Sequence, residues 1–405
     1  MTDAPNVRFL QRTSAPHIFT LILIAGVSAL SMNVFLPSLP NMTTYFQTEY
    51  RIMQLSVAAY LAFNAVLQII VGPISDRYGR RPVILWGFAV FSLATLGCIY
   101  STSVEMFLFF RLLQASVVVG MVLSRAIVRD MVPQDQAASM IGYVTMGMAI
   151  VPMIGPAIGG VLDQAFGWQS NFWMLFLFGL LTMWVCWADL GETATERSSS
   201  FSQQLRQYPE LLTSRRFWGY CLAAAFGSGS FFAYLGGAPY VGSEVYGLTP
   251  GKLGIYFGAP ALGYFVGNFI SGRYSVRFGI NRMIMVGTLL TLLGMGLSLA
   301  LFYAGLDTVE VFFGFMTFVG LGNGLVLPNA NAGMLSVRPH LAGSASGLGG
   351  AIMIGGGAGL SALAGALLYP GTGAFPLLWI MFISSALAVV SIAYVVRRER
   401  QIAED

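Results

Sequence analysis

The chain has 405 residues, a mass of 43.6 kDa, a net charge of +4 and a mean hydropathy of +0.72. Hydrophobic residues make up 56 % and charged residues 9 %, against about 25 % charged in a soluble domain. That balance excludes a soluble globular protein, which could not bury so much apolar surface, and a disordered one, which needs low hydrophobicity and high charge. A polytopic membrane protein remains, and its 48 glycines suit helices packed closely in lipid.

A spanning helix needs about 20 mostly apolar residues. Twelve stretches qualify in chain order: 18–40, 53–72, 82–100, 104–125, 138–161, 170–189, 217–238, 250–272, 281–303, 311–333, 342–368 and 374–396. The first is too long for a secretory signal and lacks a clear cleavage site, so an uncleaved span is expected. Cys98, Cys186 and Cys221 lie in apolar stretches and read as small buried hydrophobes. The segment 190–216 is polar, with Glu192, Glu196, Arg197, Arg206, Arg215 and Arg216. It divides the chain into an N-terminal six-helix half (1–189), a linker (190–216) and a C-terminal six-helix half (217–405).

Charge orients these spans. Of 21 Lys and Arg, all but Arg51, Lys252 and Arg111 fall on the side of the N-terminus. Both termini and the linker are therefore expected in the cytoplasm. The positive charge records topology and gives no reason to expect a nucleic-acid partner. Glu49, Glu105, Asp163, Glu244, Asp307 and Glu310 fall on the outer side and the other carboxylates on the cytoplasmic side. None remains at mid-membrane depth.

The sequence repeats at a shift of 200. Gly72–Gly79 lies over Gly272–Gly279, Val119-Gly120 over Val319-Gly320, and Met153-Ile154-Gly155 over Met353-Ile354-Gly355. Transporters built from such repeats bind substrate near the midplane and rock one half against the other.

Between spans 2 and 3 runs Gly72-Pro-Ile-Ser-Asp76-Arg77-Tyr78-Gly79-Arg80-Arg81-Pro82, expected as a tight turn with Gly79 at positive φ and Pro82 in the first turn of the next helix. Span 4 carries Arg111 with Gln114 one turn on; a charge within a span is costly and points to function, the competing reading being an Arg that snorkels to the outer surface. Span 5 carries Gly155-Pro156-Ala-Ile-Gly159-Gly160, where small residues let backbones approach and Pro bends the helix.

These motifs, with Arg125-Ala-Ile-Val-Arg129-Asp130, Leu30–Pro40 and Phe166–Phe172, resemble the Bcr/CflA group of twelve-helix drug:proton antiporters in the major facilitator superfamily, over nearly the whole chain. The resemblance implies an all-α fold of two pseudo-symmetric six-helix halves, export of small lipophilic compounds, and a cytoplasmic gate formed by Asp76, Arg77, Gly79, Arg80, Arg81 and Asp130. It makes Gly155, Pro156, Gly159 and Gly160 the antiporter motif of helix 5. Position 33 departs from the group: a carboxylate is common there, helped by the helix-4 Arg, and would take up the coupling proton. Asn33 cannot titrate. Either Asn33 is natural, with coupling absent or elsewhere, or it is an introduced mimic of a protonated Asp. Arg111 without an acidic partner favours the second reading. Asn33 and Arg111 are thus the candidate coupling pair, and protons the candidate coupling ion.

Candidate substrate contacts are Met32, Asn33, Tyr60, Asn64, Arg111, Gln114, Met148, Phe231, Tyr234, Tyr256 and Asn329. Aromatics in spans also pack or face lipid, so a polar, apolar-walled cavity competes at each with simple packing. Outside the transporters, the nearest P-loop, Gly247–Leu253, has the wrong spacing and no Ser/Thr. Convergent acid, base or metal ligands are missing at mid-depth, which argues against an enzyme. No cofactor, no metal and a monomer are expected. A metabolite carrier or an uncoupled facilitator is the alternative.

Overall fold

The computed structural model describes residues 9–131, 140, 144, 151, 154–194, 208–338 and 341–404. Eleven helices among them are long and apolar enough to cross a membrane. With the helix at 154–166 they are named in chain order. They are α1 (Ile18–Tyr45), α2 (Tyr50–Tyr78) and α3 (Arg80–Ile99); α4 (Val104–Gln114 and Val118–Met131); α5 (154–166); and α6 (Gln169–Asp189). Then follow α7 (Arg215–Val245), α8 (Pro250–Phe278), α9 (Ile280–Tyr303), α10 (Val309–Val337), α11 (Ala342–Leu367) and α12 (Phe375–Glu404).

Local chemistry starts and breaks these helices. His17, Ser103, Ser214 and Thr308 each accept an amide N–H of the first turn of α1, α4, α7 and α10, which satisfies a donor the helix cannot. In α1 the regular helix stops at Asn33 and passes through a 3-10 turn at Leu36–Ser38 before resuming. Pro37 has no N–H to continue the ladder. The expected long turn between spans 2 and 3 is shorter than the motif. Helix α2 continues through Pro73 to Tyr78, and the reversal falls on Gly79 alone. Several other spans also overrun their apolar cores: α8 reaches Phe278 and α12 reaches Glu404. Polar residues at the ends prolong a helix as readily as apolar ones.

The packing repeats. In the first half α4 packs on α1, α2 and α3, while α6 packs on α1 and α3; in the second half α10 packs on α7, α8 and α9, while α12 packs on α7 and α9. The two sequence-related reversals adopt the same backbone, with φ 98° and ψ 152° at Gly79 and φ 83° and ψ 150° at Gly279. The three cysteines are buried thiols.

The halves meet through α2 against α11 and at the end of the bundle opposite the termini. There Tyr50 Oη donates to the Gly236 carbonyl at 2.8 Å, and Gln54 Nε2 to the Ser361 carbonyl at 2.7 Å. At the end that carries the termini, Gly72, Gly272 and Gly347 each have open space where a side chain would go.

Candidate functional site: a buried arginine, a helix-5 hinge and a charged latch

Arg111 does not snorkel. It is 1 % exposed and among the largest fully buried side chains of the chain. Its guanidinium donates to the Ser31 carbonyl at 2.8 Å, Ser31 Oγ at 3.3 Å, the Ser56 carbonyl at 3.3 Å and Gln114 Oε1 at 2.7 Å. Gln114 passes the chain on by donating to Thr95 Oγ1 at 2.7 Å. The planar head lies between aromatic faces, 4.4 Å from the Phe35 ring centre and 3.9 Å from that of Tyr60. One cation thus joins α1, α2, α3 and α4 with neutral acceptors and π faces. A low-dielectric site makes each such contact stronger than in water.

Asn33 is placed differently. Ser31 and Phe35, one turn apart, form the α1 face that meets Arg111. Asn33 is two residues on from Ser31, about 200° around the helix at 3.6 residues per turn. Its side chain donates back to the Ala29 carbonyl at 3.2 Å. Its Oδ1 is buried without a hydrogen-bond partner among the described residues. The structure therefore brings Arg111 to Ser31, not to Asn33. Arg111 also has its fill of neutral partners, so its lack of an acidic one is no reason to read Asn33 as an introduced residue.

Helix α5 carries close backbone approaches to two other helices. A Cβ at Gly159 would sit 1.8 Å from the Val34 carbonyl oxygen, where α1 breaks. At Gly160 it would sit 2.1 Å from the Pro250 carbonyl oxygen of α8. The Pro156 carbonyl in turn faces Gly254 of α8, where a Cβ would meet it at 2.3 Å. Gly155 is less crowded, its first neighbour being the Leu30 side chain at 3.2 Å. The motif therefore seats α5 between α1 of its own half and α8 of the other.

The charged loop brings three of its candidate residues together. Arg80 pairs with Asp76 and, at 3.1 Å, with Asp130 at the end of α4. Arg81 donates to the Leu190 and Trp187 carbonyls at 2.8 and 3.2 Å, closing the end of α6. Arg77 stacks 5.4 Å over Tyr78. In the second half Val276 stands at the position of Asp76 and is 99 % exposed, so the charge cluster is not repeated there.

Sequence reasoning missed two groups. Ser31, Ser56, Thr95 and Phe35 hold Arg111, and their only signal was polar or aromatic residues at one depth. Glu192, assigned to the linker, accepts the Arg80 and Arg81 amides at 2.8 and 3.3 Å and so caps α3. In the other half Glu399 of α12 takes the matching place, accepting from Asn281 at the start of α9 and from Arg216 and Tyr220 of α7.

The remaining candidates divide. Tyr60, Tyr234 and Asn329 are packed inside their own halves: Tyr234 lies 4.6 Å from the Phe257 ring, and Asn329 donates to Ser271 Oγ at 2.8 Å. Asn64 is buried and accepts from Gln68 at 2.9 Å. Met32 is 9 % exposed. Phe231 and Tyr256 are half-buried. Met148 lies outside the described residues.

The profile of the Major Facilitator Superfamily matches residues 21–362. The chain belongs to that superfamily. It is a multi-pass membrane transporter and not an enzyme. It is 29 % identical to the chloramphenicol resistance protein of Pseudomonas aeruginosa over 78 % of this chain and 76 % of the relative. It is 27 % identical to multidrug resistance protein D of Escherichia coli over 89 % and 91 %. Among solved structures, a bacterial homolog of the human lysosomal transporter Spinster, inward-facing and unoccupied, overlays with a TM-score of 0.70 at 16 % identity, covering 96 % of this chain and 97 % of that one. That likeness concerns the fold.

Proposed function

We propose that this transporter exports small lipophilic compounds by alternating access in the bacterial inner membrane, with both termini in the cytoplasm. The observation that carries the reading is the pair of drug-resistance relatives that align along most of the chain. The repeated packing supports it, since two matched halves joined at one end can rock. The rocking units are residues 1–189 and 217–405, joined by the linker 190–216. Gly159 and Gly160 let α5 slide against α1 and α8, and the Arg80 cluster ties α2, α3 and α4 of the first half together at the cytoplasmic end.

In this reading position 33 is where the coupling proton would bind. Asn33 has the shape of a protonated Asp and cannot release a proton. The chain as it stands therefore moves substrate down its gradient, and a carboxylate at position 33 confers proton antiport. Expression in a host lacking its own efflux pumps tests the exporter reading. After cells are loaded with chloramphenicol and transferred to drug-free medium, residual accumulation should fall faster than in a vector control and than in Gly160→Trp. Equal accumulation in all three would refute it.

A further inference from the structure

The halves meet at the outer end along two seams of different chemistry. The first joins α5 to α8. There the Pro156 carbonyl faces Gly254 and the Pro250 carbonyl faces Gly160, and the Gly251 amide donates to Gln164 Oε1 at 3.2 Å. This seam is mostly backbone laid on glycine. The second joins α2 to α7 and α11. At the shift of 200 that relates the halves, Gln54 of α2 stands where the second half has Gly254. Gln54 lies at a break in α2, between Tyr50–Met53 and Leu55–Tyr78, and is 1 % exposed. Its side chain crosses to the other half, where Nε2 donates to the Ser361 carbonyl at 2.7 Å and to Ser361 Oγ at 2.9 Å. Two glycines make room for it. A Cβ at Gly236 of α7 would sit 2.6 Å from Gln54 Nε2, and the three atoms nearest a Cβ at Gly365 of α11 all belong to Gln54, each at 2.7 Å. Tyr50, one turn earlier, donates to the Gly236 carbonyl at 2.8 Å. Backbone packed on glycine slides at small cost, because its dispersion contacts are individually weak. A buried amide leaves its acceptors only by breaking directed bonds.

We propose that Gln54, seated between Gly236, Ser361 and Gly365, is the residue that holds the outer end closed, and that outward opening requires its release. This rests on the alternating-access reading and deepens it by naming the contact between the halves that must break. Losing one to two net hydrogen bonds changes the closed-to-open ratio by about tenfold.

The test uses the full chain in nanodiscs, spin-labelled at Thr44→Cys and Leu306→Cys, exposed positions at the outer end of opposite halves; the three native cysteines are buried. Distance distributions between the labels give the closed-to-open ratio. In Gln54→Ala the longer distance should gain about tenfold over the shorter. Gly365→Ala should act in the same direction, because its methyl displaces the Gln54 side chain. Added to Gln54→Ala, it should do nothing further, because the atoms it would meet are gone. A second label pair at the other end, Gln11→Cys and Thr213→Cys, should shorten as the outer pair lengthens, which loosened folding would not produce. The distances are read with no exported compound present, so a failure of chloramphenicol export counts against the exporter reading and not against the role of Gln54. A Gln54→Ala distribution equal to wild type overturns the proposal, as does a Gly365→Ala effect undiminished in the Gln54→Ala background.

Discussion

Replacing Arg111 should hurt most where the substitution looks most conservative. Arg111→Lys keeps a positive charge in a site that is 1 % exposed. The ammonium has three donors on a shorter fork-less stem. It cannot span Ser31, Ser56 and Gln114 together, and it loses the flat contact with Phe35 and Tyr60. A buried charge stripped of its partners costs about 3–5 kcal/mol. Arg111→Met removes the charge with its desolvation cost and fills similar volume. What remains unpaired is chiefly Gln114 Oε1, worth about 1–3 kcal/mol. Intrinsic tryptophan fluorescence during heating in detergent ranks the three proteins, and the expected order is wild type, Met, Lys. A Lys variant as stable as wild type, with Met the least stable, would refute the account of Arg111 as a cation held by geometry. Transport should be lost in both variants.

Gly159→Ala and Gly160→Ala should each abolish export, because the new methyl meets backbone oxygen at 1.8 or 2.1 Å and helix spacing must change. Gly155→Ala, facing a movable Leu30 side chain at 3.2 Å, should retain most activity; drug accumulation assays separate the three, and equal losses would contradict the packing. Glu192→Ala should lower stability by about 1 kcal/mol through loss of the α3 cap, visible as a small drop in melting temperature and absent if the cap contributes nothing. Gly72→Ala, with nothing within 4 Å of the added Cβ, should be close to wild type in both assays.

The spans were legible because apolar runs of about 20 residues have few other meanings, and the charge cluster because Asp76, Arg80 and Asp130 belong to motifs that carry the family resemblance. The repeat was legible in Gly79 and Gly279, whose positive φ both require glycine. Facing directions were harder. The family resemblance paired Asn33 with Arg111. The partner is Ser31, because a two-residue step carries a side chain to the far side of a helix. Tyr60, Tyr234 and Asn329 read equally as cavity walls or as packing; three-dimensional burial separates these, and composition does not. Glu192 was hidden because a cap contributed from the end of another helix leaves no local motif.

The central claim is that this is a drug exporter whose proton site is position 33. Inverted membrane vesicles with an imposed pH gradient and a fluorescent ΔpH probe test it directly, comparing the Asn33 protein with Asn33→Asp on addition of chloramphenicol. The account predicts that the gradient dissipates only in Asn33→Asp, while the Asn33 protein moves drug without moving protons. Dissipation by both proteins would contradict the assignment of position 33, and drug movement by neither would contradict the exporter itself.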